Sequence, residues 1–175
     1  MSGTLVESRE WYMAAYAPTS DHLKVRCVSL ALDAIPEQHF VLETLFVSVE
    51  PYVHGRMTGL DEGLYFAQFK LNEVISAFGV GRGRRIVTMI LRKVEPNARI
   101  PLPECLSLLG IPGLAAWVGI EVIAAPIKAG STVFISAAAS AVGIYAGQLA
   151  KLKGCRVVGS TGTDEKVPEL SYIFA

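Results

Sequence analysis

A chain of 175 residues with 51% apolar and 18% charged side chains has too much to bury for a disordered or nucleic-acid-coating tail. Sixteen lysines and arginines against sixteen aspartates and glutamates leave a formal net charge of zero, which removes the electrostatic reason for binding DNA, RNA or an anionic membrane and points to a small-molecule partner. A mean hydropathy of +0.41 is high for a soluble domain, and is expected of a membrane segment or of core-forming sequence that lacks part of its cover.

Residues from Leu5 to about Arg99 read as short strands. Leu23 to Val28 alternates apolar and polar side chains as a half-buried strand does, and Val41 to Val49 is a second strand that Pro51 stops, because proline cannot donate to a ladder. Glu73 to Val80 is a third, ending in a Gly79-Val80-Gly81 turn. A basic knot of Arg82, Arg84 and Arg85 then runs into Ile86 to Leu91 without a clear element. The texture changes to helix near residue 100, which is the expected domain boundary. Pro103 and Glu104 suit the first turn of a helix, and Ile111-Pro112-Gly113 interrupts before a second one from Leu114 to Ala124. Thr132 to Ile135 is a short apolar strand of the buried parallel type, followed by a turn from Ser136 to Ser140. A helix from Ala141 to Lys153 is ended by Gly154, and Arg156 to Val158 is a second strand. Strand, tight turn, helix and strand make a βαβ unit.

In a dinucleotide-binding unit of this kind the turn after the first strand needs small residues, so that backbone N–H groups and the helix amino terminus can meet a pyrophosphate. Ala137, Ala138, Ala139, Ser140, Ala141, Val142 and Gly143 are small throughout, but only Gly143 survives from the glycine fingerprint. At the end of the second strand, where NAD sites place an acidic residue for the ribose 2′-hydroxyl, stand Gly159-Ser160-Thr161-Gly162. Asp164 and Glu165 follow with Lys166 beside them. Lys166 pairs with a 2′-phosphate, favouring NADP, or is a solvated surface lysine.

Several stretches together resemble the zinc-independent medium-chain dehydrogenase/reductases, in particular the plant NADPH-dependent alkenal double-bond reductases related to prostaglandin reductase. They are Val47 to Tyr52 with Gly55-Arg56-Met57, then Leu109 to Trp117, then Ser136 to Gly143 with Gly147 to Leu152, and Gly154-Cys155 on through Glu165-Lys166-Val167. The resemblance implies an α/β chain with a GroES-like β-barrel domain over residues 1–100, incomplete near 80–91, and the first βαβ unit of a Rossmann domain over 101–175. It implies NADP(H) as cofactor, an α,β-unsaturated aldehyde or ketone as substrate, and a homodimer for full-length members. Tyr52 becomes the catalytic and pocket residue with Pro51 beside it, where residues alone favour a core aromatic. The loop from Ala137 to Gly143 becomes the pyrophosphate loop, and Gly162 with Lys166 the ribose-phosphate site.

Departures from the family pattern carry expectations of their own. Ser140 replaces the loop glycine, so a clash with phosphate or a strained turn is expected there. His54 stands in place of an arginine, which removes a cation. Resemblance stops after Val167, so the chain reads as truncated, with weak stability and impaired turnover, and a non-catalytic subunit joining a full-length reductase is the alternative. A membrane helix through the chargeless stretch Ala129 to Ala150, with Gly143 and Gly147 as a helix-dimer motif, is a further rival. His22, Cys27, His39 and His54 fit no zinc spacing, so no metal is expected. Three unpaired cysteines and an amino terminus without a secretory pattern read as cytoplasmic.

Overall fold

The computed structural model describes residues 4–17, 19–36, 39, 41–60, 65–85, 94 and 99–174. Backbone contacts divide the chain into two units, Met1–Lys93 and Val94–Ala175, and each is described by itself.

In the first unit β1 (Leu5–Met13) pairs antiparallel with β2 (Leu23–Ala31) in unbroken register from Leu5↔Ala31 to Met13↔Leu23. A second antiparallel ribbon joins β3 (Val41–Val47) to β4 (Gly79–Arg85), with two register shifts that take up one extra residue on each strand. Gly79-Val80-Gly81 is therefore the start of a strand and not a turn. Its glycines fit because the partner backbone is close: a Cβ on Gly81 would stand 2.6 Å from the Glu43 carbonyl oxygen. Of the strand expected over Glu73 to Val80, only its end, Gly79 and Val80, joins β4; before it Val74 makes an isolated bridge to Tyr12.

Pro51 does not end β3, which stops at Val47. It opens α1 (Pro51–Gly55), where its missing N–H is one the first helical turn leaves unbonded anyway. Met13, Met57 and Phe69 form the buried core of this unit, with Leu23, Val53 and Ile75 packed against them. Among the described residues the two ribbons remain separate two-stranded sheets and no barrel closes. The unassigned stretch Ile86 to Leu91 lies outside the described residues, as do the side chains of Arg84 and Arg85.

In the second unit the expected βαβ unit is present. β5 (Thr132–Ile135) and β6 (Arg156–Gly159) pair in parallel from Thr132↔Arg156 to Ile135↔Gly159, and α3 (Ala141–Leu152) connects them. Gly154, at φ +76°, turns the chain out of the helix. Strand alternation splits the sheet into two faces: Val133, Ile135 and Val157 pack with Ala146, Leu149 and Ala150, while Phe134 and Val158 on the other face are 65% and 39% exposed. The Pro103 segment is a single 3-10 turn over Leu102–Cys105. Ile111-Pro112-Gly113 opens α2 (Ile111–Trp117) where an interruption was expected, since Pro112 sits in its first turn, and the helix continues as a π-turn over Val118–Ile123. Beyond Val167, where the resemblance runs out, α4 (Val167–Ile173) places Leu170 and the following Phe174 against Ile135 and Ala138.

The chargeless stretch Ala129 to Ala150 is broken into strand, turn and helix. Among the described residues no helix is long and apolar enough to cross a membrane. Gly143 and Gly147 serve packing within the chain instead, with Gly147 lying under the Phe174 ring.

Candidate functional site

Tyr52 lies on α1 in the first unit and is half-buried. Its ring meets Phe66 at a centroid distance of 5.0 Å and Phe78 edge-on at 5.9 Å, two contacts from loops that sequence patterning did not single out. Burial pushes the Tyr52 phenol above its ordinary pKa, and the nearby Glu50 carboxylate adds to this, while Arg56 and a backbone hydrogen bond with Phe78 act the other way. The phenol is thus a protonated donor at neutral pH. Glu50 is buried at 8% exposure and accepts a hydrogen bond from Ser48 Oγ at 2.7 Å. Pro51, exposed at the first position of α1, sets the backbone that carries Tyr52. His54 is exposed, yet a permanent cation acts on Tyr52 all the same: the Arg56 guanidinium stands 3.9 Å over the Phe69 ring, and its Nε donates to the Ala67 carbonyl at 2.7 Å.

The second unit brings Ala137 to Gly143 together with the end of β6. The Ala138 N–H donates to the Ser160 carbonyl at 2.8 Å and the Ser160 N–H to the Ile135 carbonyl at 3.0 Å, so the turn is tied to both strands. Gly143 is required by contact, since a Cβ there would lie 2.5 Å from the Ala137 oxygen and 2.8 Å from Ala138 Cα. Backbone strain falls on Ala137, at φ +47°, and not on Ser140, which was expected to bear it. Ser140 has ordinary extended backbone, φ −81° and ψ 163°, and caps α3: its Oγ accepts the Gly143 N–H at 3.1 Å. Ala141 and Val142 are exposed at the first two positions of α3, where backbone N–H groups have no partner within the helix.

Gly162 and Lys166 are exposed beyond β6, Lys166 closing a 3-10 turn over Asp164–Lys166. A Cβ on Gly162 would meet nothing within 4 Å. Thr161 Oγ1 is buried and has no hydrogen-bond partner among the described residues. Small side chains at a helix amino terminus, an open glycine and a lysine with no acidic residue at the end of β6 fit a dinucleotide carrying an extra phosphate.

One polar cluster was invisible in the sequence. Tyr145 Oη donates to Glu104 Oε2 at 2.7 Å, Ser107 Oγ donates to the same oxygen at 2.7 Å, and the two hydroxyl oxygens are 2.9 Å apart. The two donors hold the Glu104 carboxyl below the ordinary carboxylate range, led by Ser107. This cluster ties the 3-10 turn before α2 to α3. Because the folded pKa is lowered, its stabilisation is present above the unfolded carboxylate pKa and is lost as pH falls through the folded value. Tyr145→Phe is expected to lower stability by about 1 kcal/mol at neutral pH, and by less in acid, in urea melts at both pH values; an equal loss at both would break the link to Glu104.

The chain is similar to proteins of known activity. It is 34% identical over 190 residues to rat prostaglandin reductase 1, covering 97% of this chain and 56% of that protein. It is 33% identical over 189 residues to the NADP(+)-dependent 2-alkenal reductase of Nicotiana tabacum, covering 93% of this chain and 54% of that protein. Its fold matches CurA from Vibrio vulnificus, solved in complex with NADPH, with a TM-score of 0.78 and 26% identity over 94% of this chain and 55% of that one. The chain resembles NADP(H)-dependent reductases of the medium-chain dehydrogenase/reductase type. No family model matches it. It spans about half the length of the curated relatives it matches.

Proposed function

We propose that this chain binds NADPH through its second unit and that it belongs to an enzyme reducing the carbon–carbon double bond of α,β-unsaturated aldehydes or ketones. The observation that carries the reading is the turn from Ala137 to Gly143 at the amino terminus of α3, tied to a β6 end that offers Gly162 and Lys166 in place of a carboxylate. Ala141 and Val142 would hold the diphosphate by their N–H groups, and Lys166 the 2′-phosphate beside Gly162. A bound NADPH supplies the hydride that adds to the β-carbon.

Tyr52 has a different task. Its phenol, protonated at neutral pH, would donate a hydrogen bond to the substrate carbonyl oxygen, drawing electron density from the β-carbon and stabilising enolate charge on that oxygen, with the α-carbon proton coming from solvent water. Phe66 and Phe78 keep water from one side of that phenol. Turnover by this chain alone is expected to be slow. Tyr52→Phe is expected to lower enal-dependent NADPH consumption about a further 100-fold with NADPH binding unchanged, in a spectrophotometric assay; equal rates would remove Tyr52 from the chemistry.

A second reading, a non-catalytic subunit that joins a full-length reductase, is supported by the exposed apolar sheet face at Phe134 and Val158. Co-purification with such a reductase, together with no NADPH consumption by the pure chain, would favour it.

A further inference from the structure

A cavity of about 490 Å³ opens between α2 and α3, within the second unit. Leu109, Leu114, Trp117, Leu149 and Leu152 give it apolar walls, and among the described residues no charged side chain lines it. Leu114, Trp117 and Leu152 are exposed, so the unit itself leaves unfilled a volume of the size small molecules occupy. The cavity contains none of Ala137 to Gly143, Gly162, Lys166 or Tyr52, so what it binds is independent of the NADPH reading. One wall is chemically distinct. Tyr145 and Leu108 line it, and behind them stands the Glu104 carboxylate, which accepts the Tyr145 and Ser107 hydroxyls at 2.7 Å each. Among the described residues no lysine, arginine or histidine forms an ion pair with Glu104.

Both hydroxyl hydrogens are spent on the carboxylate, so the Tyr145 oxygen is left to a ligand as an acceptor only. Gln148 also lines the cavity; its Nε2 donates to the Ile144 carbonyl at 3.3 Å, and its Oε1 is a second acceptor. Acceptors, a carboxylate without a counter-charge and the aromatic rings of Tyr145 and Trp117 together complement a cation that brings its own donors. An ammonium group has N–H donors and no acceptor. A carboxylate or phosphate ligand would meet like charge and no cation. We infer that this cavity binds a small organic ammonium ion, an amine whose apolar body lies between Leu114, Trp117 and Leu152 and whose charged end lies at the Tyr145 ring, balanced by the Glu104 carboxylate directly behind it.

The test is a calorimetric titration of the full chain at neutral pH with octylamine, octanol and octanoate, which share one apolar body and differ in charge. The amine is expected to bind about tenfold more tightly than the alcohol, and octanoate more weakly than either. Glu104→Gln keeps an acceptor in place and removes the charge, so it is expected to bring the amine down to the affinity of the alcohol and to leave the alcohol within about twofold. Leu114→Lys, at an exposed position where the melt should be spared, is expected to abolish binding of all three compounds. Equal affinity for amine and alcohol, no binding of the amine by the unsubstituted chain, or amine binding that survives Leu114→Lys would each overturn the inference, as would a Glu104→Gln protein that binds the amine unchanged. If Glu104→Gln loses the alcohol as well, the cavity has collapsed in that variant, and the ratio of amine to alcohol affinity in the unsubstituted chain decides.

Discussion

Gly143→Ala is expected to destabilise the second unit by about 3 kcal/mol and to abolish NADPH binding. The added methyl would sit 2.5 Å from the Ala137 carbonyl oxygen and 2.8 Å from Ala138 Cα, and both of these are backbone atoms. Neither can swing aside. Ala138 is held by its N–H on Ser160, and Ala137 already occupies the left-handed region at φ +47°. Relief therefore requires α3 to move off the β5–β6 sheet, which opens the contacts of Ala146 and Ala150 with Val133 and Val157. Two other glycines calibrate the effect. Gly147→Ala meets only the outer ring atoms of Phe174, a side chain that can rotate, and is expected to cost about 1 kcal/mol. Gly162→Ala meets nothing in the protein, so it is expected to leave the melt unchanged and to weaken NADPH binding through contact with the ligand. Urea melts of the three variants decide the order, and a Gly143→Ala protein as stable as Gly162→Ala would contradict the packing described.

Lys166→Glu is expected to weaken NADPH about 100-fold while leaving NADH within twofold. Lys166 is exposed on the 3-10 turn beyond β6, next to Asp164 and Glu165, so its charge stabilises the fold little and its substitution should spare the melt. A dianionic 2′-phosphate is different, because replacing the cation by a carboxylate turns attraction into repulsion at short range. Lys166→Ala should fall between, at about tenfold, and the ratio of NADPH to NADH affinity should shrink with added salt in the unsubstituted chain. An equal loss for both nucleotides would place Lys166 away from the 2′-phosphate.

The legible part of this fold was the part whose signals are local. β5, the small-residue turn, α3 and β6 lie within a residue or two of where apolar runs, small residues and Gly154 put them. Proline misled twice. Pro51 and Pro112 were read as breaks, but the same fixed φ and missing N–H that stop a ladder also suit the first turn of a helix, and both open one. Gly79 and Gly81 were read as a turn because glycine punctuates; here they admit the β3 backbone. α4 went unread, although Pro168 near its start and the spacing of Leu170, Ile173 and Phe174 are the pattern of a short helix with one apolar face.

The candidate site was legible in identity more than in geometry. A loop motif named Ala137 to Gly143, yet motif position assigned the strain to Ser140, while the chain carries it at Ala137 and uses Ser140 as a cap. Phe66 and Phe78 around Tyr52, and Glu104 with Ser107 on Tyr145, are contacts between residues far apart in sequence, the last spanning 41 positions. Nothing in periodicity or spacing encodes such pairs. They follow only from the packing of one element on another.

The most direct measurement is an isothermal titration of the purified chain with NADPH and with NADH, run beside a thermal melt. Saturable NADPH binding in the micromolar range, at least tenfold tighter than NADH, by a chain that melts cooperatively is the predicted result. A cooperative melt with no NADPH binding, or with NADH bound as tightly as NADPH, would contradict the assignment of Gly162, Lys166 and the Ala137 to Gly143 turn to an NADP site.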